Sequence, residues 1–204
     1  MHQELMELVH ARKGHFLLES GHHGDLWLDL ELLCLHPVRI QPFVSELAKR
    51  LTEHHLDAVC GPLVEGAFVA LLVAVELGVE FMYTERLDTT DSKDLFSVRY
   101  RIPAAQQGMV HGKRIGIVND VINAGSAVRG TYADLQSHGA QTVAVASLLT
   151  LGDSAEQLAK GWNADLVRIA SQPNTYWPPS ECPLCAAGMS LEKHGGPSNP
   201  FGEE

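Results

Sequence analysis

One short stretch constrains the fold more than any other. It is an apolar run, Ile115 to Val118, that continues through Asn119 and Asp120 into a turn of small residues. The run has the length and β-branched content of a buried strand, and the residues from Val128 to about His138 follow the turn with a helix-like pattern. A glycine turn between a strand and a helix can bind an anion, because backbone N–H groups point outward there and the helix dipole favours negative charge.

The acid distinguishes this turn from an ordinary strand–loop–helix unit. Asp120 lies immediately before the turn, where its carboxylate suits sugar hydroxyls or a metal-bound water. Gly125 lets the backbone approach a ligand closely. Without the acid, plain structure would be the favoured interpretation. The acid and the turn together favour a ligand site.

The same stretch resembles the phosphoribosyl-diphosphate (PRPP) motif of the type I phosphoribosyltransferases, and Ala124 to Arg129 is most similar to the orotate phosphoribosyltransferase family. The resemblance implies that the turn holds the 5′-phosphate and that Arg129 contacts the base. It also makes Asp120 a catalytic residue that holds ribose hydroxyls and magnesium (Mg2+). The implied PRPP and phosphate contacts are Asn119, Asp120, Asn123, Ala124, Gly125, Ser126 and Ala127. Asn119 stands where the family has an acid, which removes one negative charge from the sugar and magnesium site.

A second part of the resemblance lies in residues 14 to 29, which in that family help to enclose the base. It assigns Phe16 and Trp27, with Arg129, to base binding. Leucines alternate with Trp27 in residues 26 to 30, which predicts a strand preceded by a turn at Ser20-Gly21 and Gly24. His22 and His23 could bind a metal, but adjacent strand residues point to opposite faces, which favours a solvated turn.

A second strand–loop–helix unit is predicted from Asp57 to Leu77, with the strand at Asp57–Cys60 and the helix from Phe68. A plain βαβ turn would explain the loop. The resemblance instead implies a pyrophosphate loop formed by Gly61, Pro62, Glu65 and Gly66. Glu65 would repel phosphates unless it faces away or meets magnesium.

The residues from Glu85 to Gly112 have no long periodic segment, and a loop of this length is usually functional or mobile. The resemblance implies a lid with a catalytic lysine, for which Lys93 is the candidate. Other cations available for a diphosphate are Arg86, Arg99 and Arg101, although each could equally be a surface charge.

Strands alternate with helices through the rest of the chain, with further apolar strands at 80–84, 140–150 and 164–170. This order predicts an α/β fold with a mainly parallel central sheet flanked by helices, like the type I phosphoribosyltransferases, with a small hood from the N-terminal and C-terminal segments. We expect one domain over residues 1–175, with the hood contributed by about 1–36, and a tail over 176–204 whose end is disordered. Ligands in such sheets lie at the carboxyl ends of the strands.

The tail contains Cys182 and Cys185, which form half of a zinc knuckle. A second cysteine pair is missing from the sequence, so a histidine such as His194, or one from elsewhere in the fold, would have to complete a site. Two ordinary cysteines or a redox pair are the alternatives.

Composition narrows the function. A net charge of −10 argues against a nucleic-acid or anionic-membrane partner, and four cysteines without framework spacing indicate a reducing cytoplasm. The resemblance implies transfer of the phosphoribosyl group of PRPP to a nucleobase, an orotate-like pyrimidine, with release of pyrophosphate by a homodimer. The alternative is a catalytically weak or inactive relative that binds PRPP or a nucleotide for regulation, which Asn119 and the atypical lid favour.

Overall fold

The computed structural model describes residues 1–18, 21–87 and 99–193. Its α-helices are α1 His2–Leu8, α2 Pro37–Leu51, α3 Glu65–Leu77, α4 Ala104–Gln107, α5 Ser126–Ser137, α6 Ser154–Gly161 and α7 Pro183–Ala186. Its strands are β1 Arg12–Leu17, β2 His23–Trp27, β3 Ala58–Pro62, β4 Glu80–Leu87, β5 Arg99–Arg101, β6 Arg114–Ile122, β7 Gln141–Leu151, β8 Asp165–Gln172, β9 Tyr176–Trp177 and β10 Glu192–Lys193. Within these ranges, no helix combines the length and the hydropathy needed to cross a bilayer.

A six-stranded sheet forms the centre of the molecule, in the order β5-β4-β3-β6-β7-β8. Neighbouring strands from β4 to β8 are parallel, and only the edge strand β5 pairs in the antiparallel sense. Helices cover both faces. The predicted α/β fold with a mainly parallel central sheet is therefore confirmed.

Alternate residues of the central strands enter two separate cores. Val59 and Val118 pack with α1, α2 and α3 on one face, whereas Ala58 and Ile117 pack with α5 and α6 on the other. Because both faces of the strands are covered, their sequences are almost continuously apolar, and all of β6 after Arg114 is buried.

The chain order creates a crevice beside β3. From β3 the chain passes through α3 to β4 on one side, and β6 then pairs with the opposite edge of β3. The strands β3 and β6 are adjacent, but the chain leaves their carboxyl ends in opposite directions, which opens a crevice between the two loops. Open α/β sheets bind ligands at such a switch point.

A second, four-stranded sheet joins the two ends of the chain, in the order β10-β1-β2-β9. Residues 176–193, expected as a tail, supply both of its edge strands. The strand predicted over residues 26 to 30 lies earlier, at His23–Trp27, and Gly24 falls inside it. Gly24 pairs with Phe16 and Tyr176 and lies against the side chain of Leu18, so close strand packing rather than a turn explains this glycine.

Several boundaries differ from the sequence prediction. Strand β6 continues through Asn119 and Asp120 to Ile122, because these polar residues remain in the ladder beside β7. Helix α3 begins at Glu65 rather than at Phe68, and α5 begins at Ser126. The long segment after β4 contains β5 and α4 within its described part.

A buried hydrogen bond between two threonines fixes α5 to the sheet. The hydroxyls of Thr84 on β4 and Thr131 on α5 are 2.7 Å apart, and both residues are fully buried. Thr131→Val should lower the free energy of unfolding by about 1–3 kcal/mol, because it leaves the Thr84 hydroxyl buried without this partner. Urea unfolding measures the change.

The double variant Thr84→Val/Thr131→Val is the control for this prediction. Replacing both hydroxyls with methyl groups removes the unpaired polar atom, so most of the lost stability should return. Losses that simply add in the double variant would show that the hydroxyls are not coupled.

Candidate active site

Asp120 lies near the carboxyl end of β6 and is only 5% exposed. The pKa of its carboxyl group is raised to about 7, mainly by burial and in smaller part by the negative charge of Glu65. The backbone N–H groups of Val121 and Asp120 oppose the increase by stabilising the carboxylate. The group therefore changes charge near neutral pH, and a cation beside it would hold it ionised.

Glu65 is the first residue of α3 and comes from the loop that follows β3. Burial, followed by the charges of Asp120 and Glu65, raises the pKa of the Cys34 thiol to about 11. Asp120 and Glu65 are thus close enough to each other and to Cys34 for their charges to influence ionisation. Two carboxylates, one near the end of a strand and one at the start of the helix that follows the neighbouring strand, can together hold a divalent cation.

Asn119 connects the two loops through protein contacts. Its Nδ2 donates a hydrogen bond of 2.8 Å to the carbonyl of Val121. Its Oδ1 lies so close to Gly66 that a Cβ at Gly66 would collide with it. An aspartate here could not donate to Val121, which gives asparagine a local structural reason. The predicted contact of Asn119 with ribose remains a prediction.

The small-residue turn opens α5 as the sequence suggested. Gly125 precedes the helix with a φ of 77°, and a Cβ on it would collide with Leu158 of α6. Ala124 and Ser126 are exposed on either side of it. The exposed side chain of Asn123 accepts a hydrogen bond of 2.8 Å from Asn174. The left-handed φ of Gly125 therefore favours glycine at this position, and its exposed neighbours remain accessible to a ligand.

Arg129 lies one turn into α5, and its Nη2 donates to the carbonyl of Ala124 at 3.4 Å. It borders a cleft of about 620 Å³ that Ser126, Arg99 and Arg101 also line. Three arginines and one acid, Asp134, thus line one cleft in a chain of net charge −10, so the lining is net positive. Such local positive charge favours an anionic ligand.

Strand β5 is attached to α5 and so helps to shape this cleft. The N–H of Ile102 donates to the Asp134 carboxylate at 2.7 Å. The ring of Tyr100 fills the space beside Gly130, where a Cβ would meet it at 2.6 Å. Asp134 and Tyr100 were not predicted to belong to the site, since the pairing of a short edge strand with a distant helix leaves no local pattern.

The predicted pyrophosphate loop is tightly packed at its start. Gly61 and Pro62 are buried in β3, and a Cβ on Gly61 would lie 2.6 Å from the carbonyl oxygen of Gly66. The loop then exposes Leu63 and Val64 before Glu65. The two glycines let the loop fold closely against the start of α3.

The predicted base-binding residues fall in two places. Phe16 is 1% exposed, and its ring centroid lies 5.9 Å from that of Trp27 in the four-stranded sheet. Trp27 donates from Nε1 to Asp29 at 2.7 Å. Phe16 thus packs behind Trp27, while Arg129 is carried by a helix of the central sheet. The lid candidate, Lys93, lies outside the described residues.

Comparison with known proteins adds independent evidence. No family model matches the chain. The chain is 29% identical over 192 residues to an orotate phosphoribosyltransferase of Caldanaerobacter subterraneus subsp. tengcongensis, covering 94% of this chain and 93% of the relative. It is 30% identical over 183 residues to an orotate phosphoribosyltransferase of Desulforamulus reducens, covering 89% of this chain and 88% of the relative.

Solved structures show the same fold. An orotate phosphoribosyltransferase from Aeropyrum pernix superposes with a TM-score of 0.64 at 19% identity, over 83% of this chain and 92% of that one. An adenine phosphoribosyltransferase from Thermoanaerobacter pseudethanolicus gives 0.65 at 16% identity, over 83% and 99%. The structural likeness establishes the type I phosphoribosyltransferase architecture. With the relatives that match along nearly their whole length, it follows that this chain belongs to the orotate phosphoribosyltransferase family.

Proposed function

We propose that the chain transfers the phosphoribosyl group of PRPP to orotate and releases pyrophosphate. The observation that carries the proposal is the position of two loops on adjacent parallel strands. Asp120 lies near the end of β6, just before the phosphate turn, and the loop after β3 leads to Glu65 at the start of α3. Both loops lie at the carboxyl ends of adjacent parallel strands, at the switch point of the sheet.

The start of α5 suits the 5′-phosphate of PRPP. The first N–H groups of this 12-residue helix have no partners within the helix, and the exposed Ser126 hydroxyl lies beside them. Phosphate bound here is distant from the reacting carbon, so its binding energy serves to orient the sugar. Asp120 would accept hydrogen bonds from the ribose hydroxyls.

The donor set around Asp120 fits Mg2+. Two carboxylates, of Asp120 and Glu65, lie close enough for their charges to interact, and magnesium prefers oxygen ligands of this kind. When bound, the ion neutralises charge on the diphosphate group. Glu65 would then help to hold the ion, whereas without an ion its negative charge would repel phosphate.

Transfer breaks the bond between C1 of ribose and the diphosphate oxygen and forms a bond from C1 to a ring nitrogen of the base. Positive charge builds on the sugar, and negative charge builds on the departing diphosphate. Arg99 and Arg101 face the cleft beside the phosphate turn and could stabilise that anion. Arg129 offers a planar cation that can pair with the carboxylate of orotate through two hydrogen bonds.

A product assay with PRPP, magnesium and a panel of bases tests the proposal. Orotate should be converted to its nucleotide with equimolar pyrophosphate, and uracil, which lacks the carboxylate, should react far more slowly. Arg129→Ala should raise the KM for orotate by about 10–100-fold, because a charge-assisted pair is lost, with little change in the KM for PRPP. Failure of every base to react would reject the proposed activity.

Ser126→Asp is the matched variant for the phosphate site. It should weaken PRPP binding by more than about tenfold, because it sets a negative charge beside the 5′-phosphate. The free energy of unfolding should not fall, because an acid in the first turn of a helix is favourable. If Arg129→Ala and Ser126→Asp weaken orotate and PRPP equally, the separation of the two subsites is wrong.

Asp120 should also make stability depend on pH. Its pKa in the folded chain, about 7, exceeds that of an exposed aspartate, so the folded state favours the protonated carboxyl group. The stability that this preference contributes is therefore complete below about pH 4 and is lost as the pH rises through 7. Asp120→Asn removes this loss while weakening PRPP binding. In metal-free urea unfolding, the gain in stability of the variant over the parent should be about 2 kcal/mol larger at pH 8 than at pH 5.5. A gain that does not change with pH would contradict the assignment.

An exposed apolar stripe on α3 supports assembly as a homodimer. Val64, Phe68, Leu71 and Val75 follow one helical face, and they are 53%, 46%, 44% and 74% exposed. A contiguous apolar face of this kind marks an interaction surface, and a second copy of the chain is the occupant that we propose.

Sedimentation at micromolar concentration tests the dimer. The parent chain should sediment as a dimer, and Val75→Glu should shift it to monomer, because the substitution buries a charge in the interface. Met109→Glu, which adds the same charge at a residue 51% exposed on another element, is the control and should remain dimeric. A monomeric parent chain, or a Val75→Glu variant that stays dimeric, would reject this interface.

A further inference from the structure

Four potential metal ligands meet in the four-stranded sheet, outside the crevice that holds the candidate active site. They are His15 on β1, His23 on β2, Cys182 immediately before α7 and Cys185 within α7. One ligand atom from each residue lies within 4.8 Å of all the others. The first three residues are buried, and Cys185 is exposed.

The distances between these atoms fit one tetrahedral ion. Nε2 of His15 lies 3.1 Å from Nδ1 of His23, 3.4 Å from Sγ of Cys182 and 3.7 Å from Sγ of Cys185. Nδ1 of His23 lies 3.2 Å from Sγ of Cys185. Two nitrogens and two sulfurs at the usual zinc bond lengths are separated by about 3.3–3.8 Å when the geometry is tetrahedral.

A hydrogen bond on the outer side of His15 sets its protonation. Nδ1 of His15 lies 2.9 Å from the carbonyl oxygen of Met189, and because a carbonyl can only accept, Nδ1 must carry the proton. In the neutral ring, Nε2 therefore presents its lone pair to the cluster. An outer hydrogen bond to a backbone carbonyl is the usual means by which a metal-binding histidine is oriented.

The two adjacent histidines have different environments. His22 packs edge-on against Tyr176, with ring centroids 5.7 Å apart, while His23 points into the cluster. The expected solvated turn is therefore wrong for His23, which is buried in β2. Within the described residues, His15 and His23 lie beside the cysteine pair. His194, the candidate named from the sequence, lies outside them.

We propose that His15, His23, Cys182 and Cys185 bind a structural zinc ion. Two thiolates and two imidazoles are a donor set that zinc favours, and four protein ligands leave no position for a catalytic water. The ion would connect the segment 176–193 to the β1–β2 hairpin. Without it, this segment pairs with the hairpin through β9 and β10, which have only two residues each. The exposed Cys185 provides the route by which the ion enters, and binding releases the thiol protons.

Metal analysis of the full chain, purified without a chelator under reducing conditions, tests the proposal. One zinc per chain is expected. Cys185→Ser should lose the metal, and its unfolding temperature should fall by more than about 5 °C. His22→Gln is the matched control and should keep both the zinc and the unfolding temperature. A parent chain that contains no zinc and takes up none, or equal zinc loss in the two variants, would overturn the proposal.

Cobalt substitution provides a test that does not depend on the folding of a variant. The parent chain, stripped of metal and given Co2+, should show the visible bands of a tetrahedral site and a thiolate-to-cobalt charge-transfer band. Absence of these bands, together with a mass two hydrogens lower for a Cys182–Cys185 disulfide, would reject the metal site. Because neither measurement uses PRPP or a base, the outcome is independent of the proposed enzymatic function.

Discussion

The burial of one carboxyl group at the end of the central strand is the constraint on which the site depends. Strand β6 has parallel neighbours on both edges and helices on both faces, so Asp120 has little access to water. Two backbone N–H groups offset only part of the desolvation, which leaves its pKa near 7. The same desolvation that disfavours the charged carboxylate favours the binding of a cation beside it. Desolvation of this acid costs folding free energy at neutral pH, a trade-off that is common at functional sites.

The sequence was most informative where local pattern and tertiary packing agree. Apolar runs such as Ile115–Val118 predicted the central strands because both faces of those strands are buried, and the turn at Gly125 was predicted because its φ of 77° demands glycine. The observed ends of strands and helices differ from the predicted ones where polar residues belong to a strand or a helix. Asp120 lies within β6 because the pairing of β6 with β7 continues to Ile122. Glu65 begins α3, where the helix dipole stabilises a negative charge.

The sequence was less informative about residues brought together from distant parts of the chain. Asp134 approaches β5 and Cys34 approaches Asp120 through packing that no short pattern encodes. The same holds for His15, which lies 167 residues before Cys182 and whose register on β1 depends on an irregularity between Lys13 and Phe16. Half of that cluster could be found from the two-residue gap between its cysteines, whereas its histidines required knowledge of how the hairpin meets the C-terminal segment.

The sheet that joins the chain ends also determines the order in which the protein can be completed during synthesis. The β1–β2 hairpin is translated before the central sheet, but its edges pair with β9 and β10, which are translated after that sheet. Until then both edges of the hairpin expose unpaired backbone groups, which is the condition under which strands associate with wrong partners. Helix α1 packs with Leu26 and with β8 in the same core. It therefore cannot pack in its final position until β8, the edge strand of the central sheet, has been made. A nascent chain truncated before residue 176 would therefore retain an unfinished hood, however well its central sheet had formed.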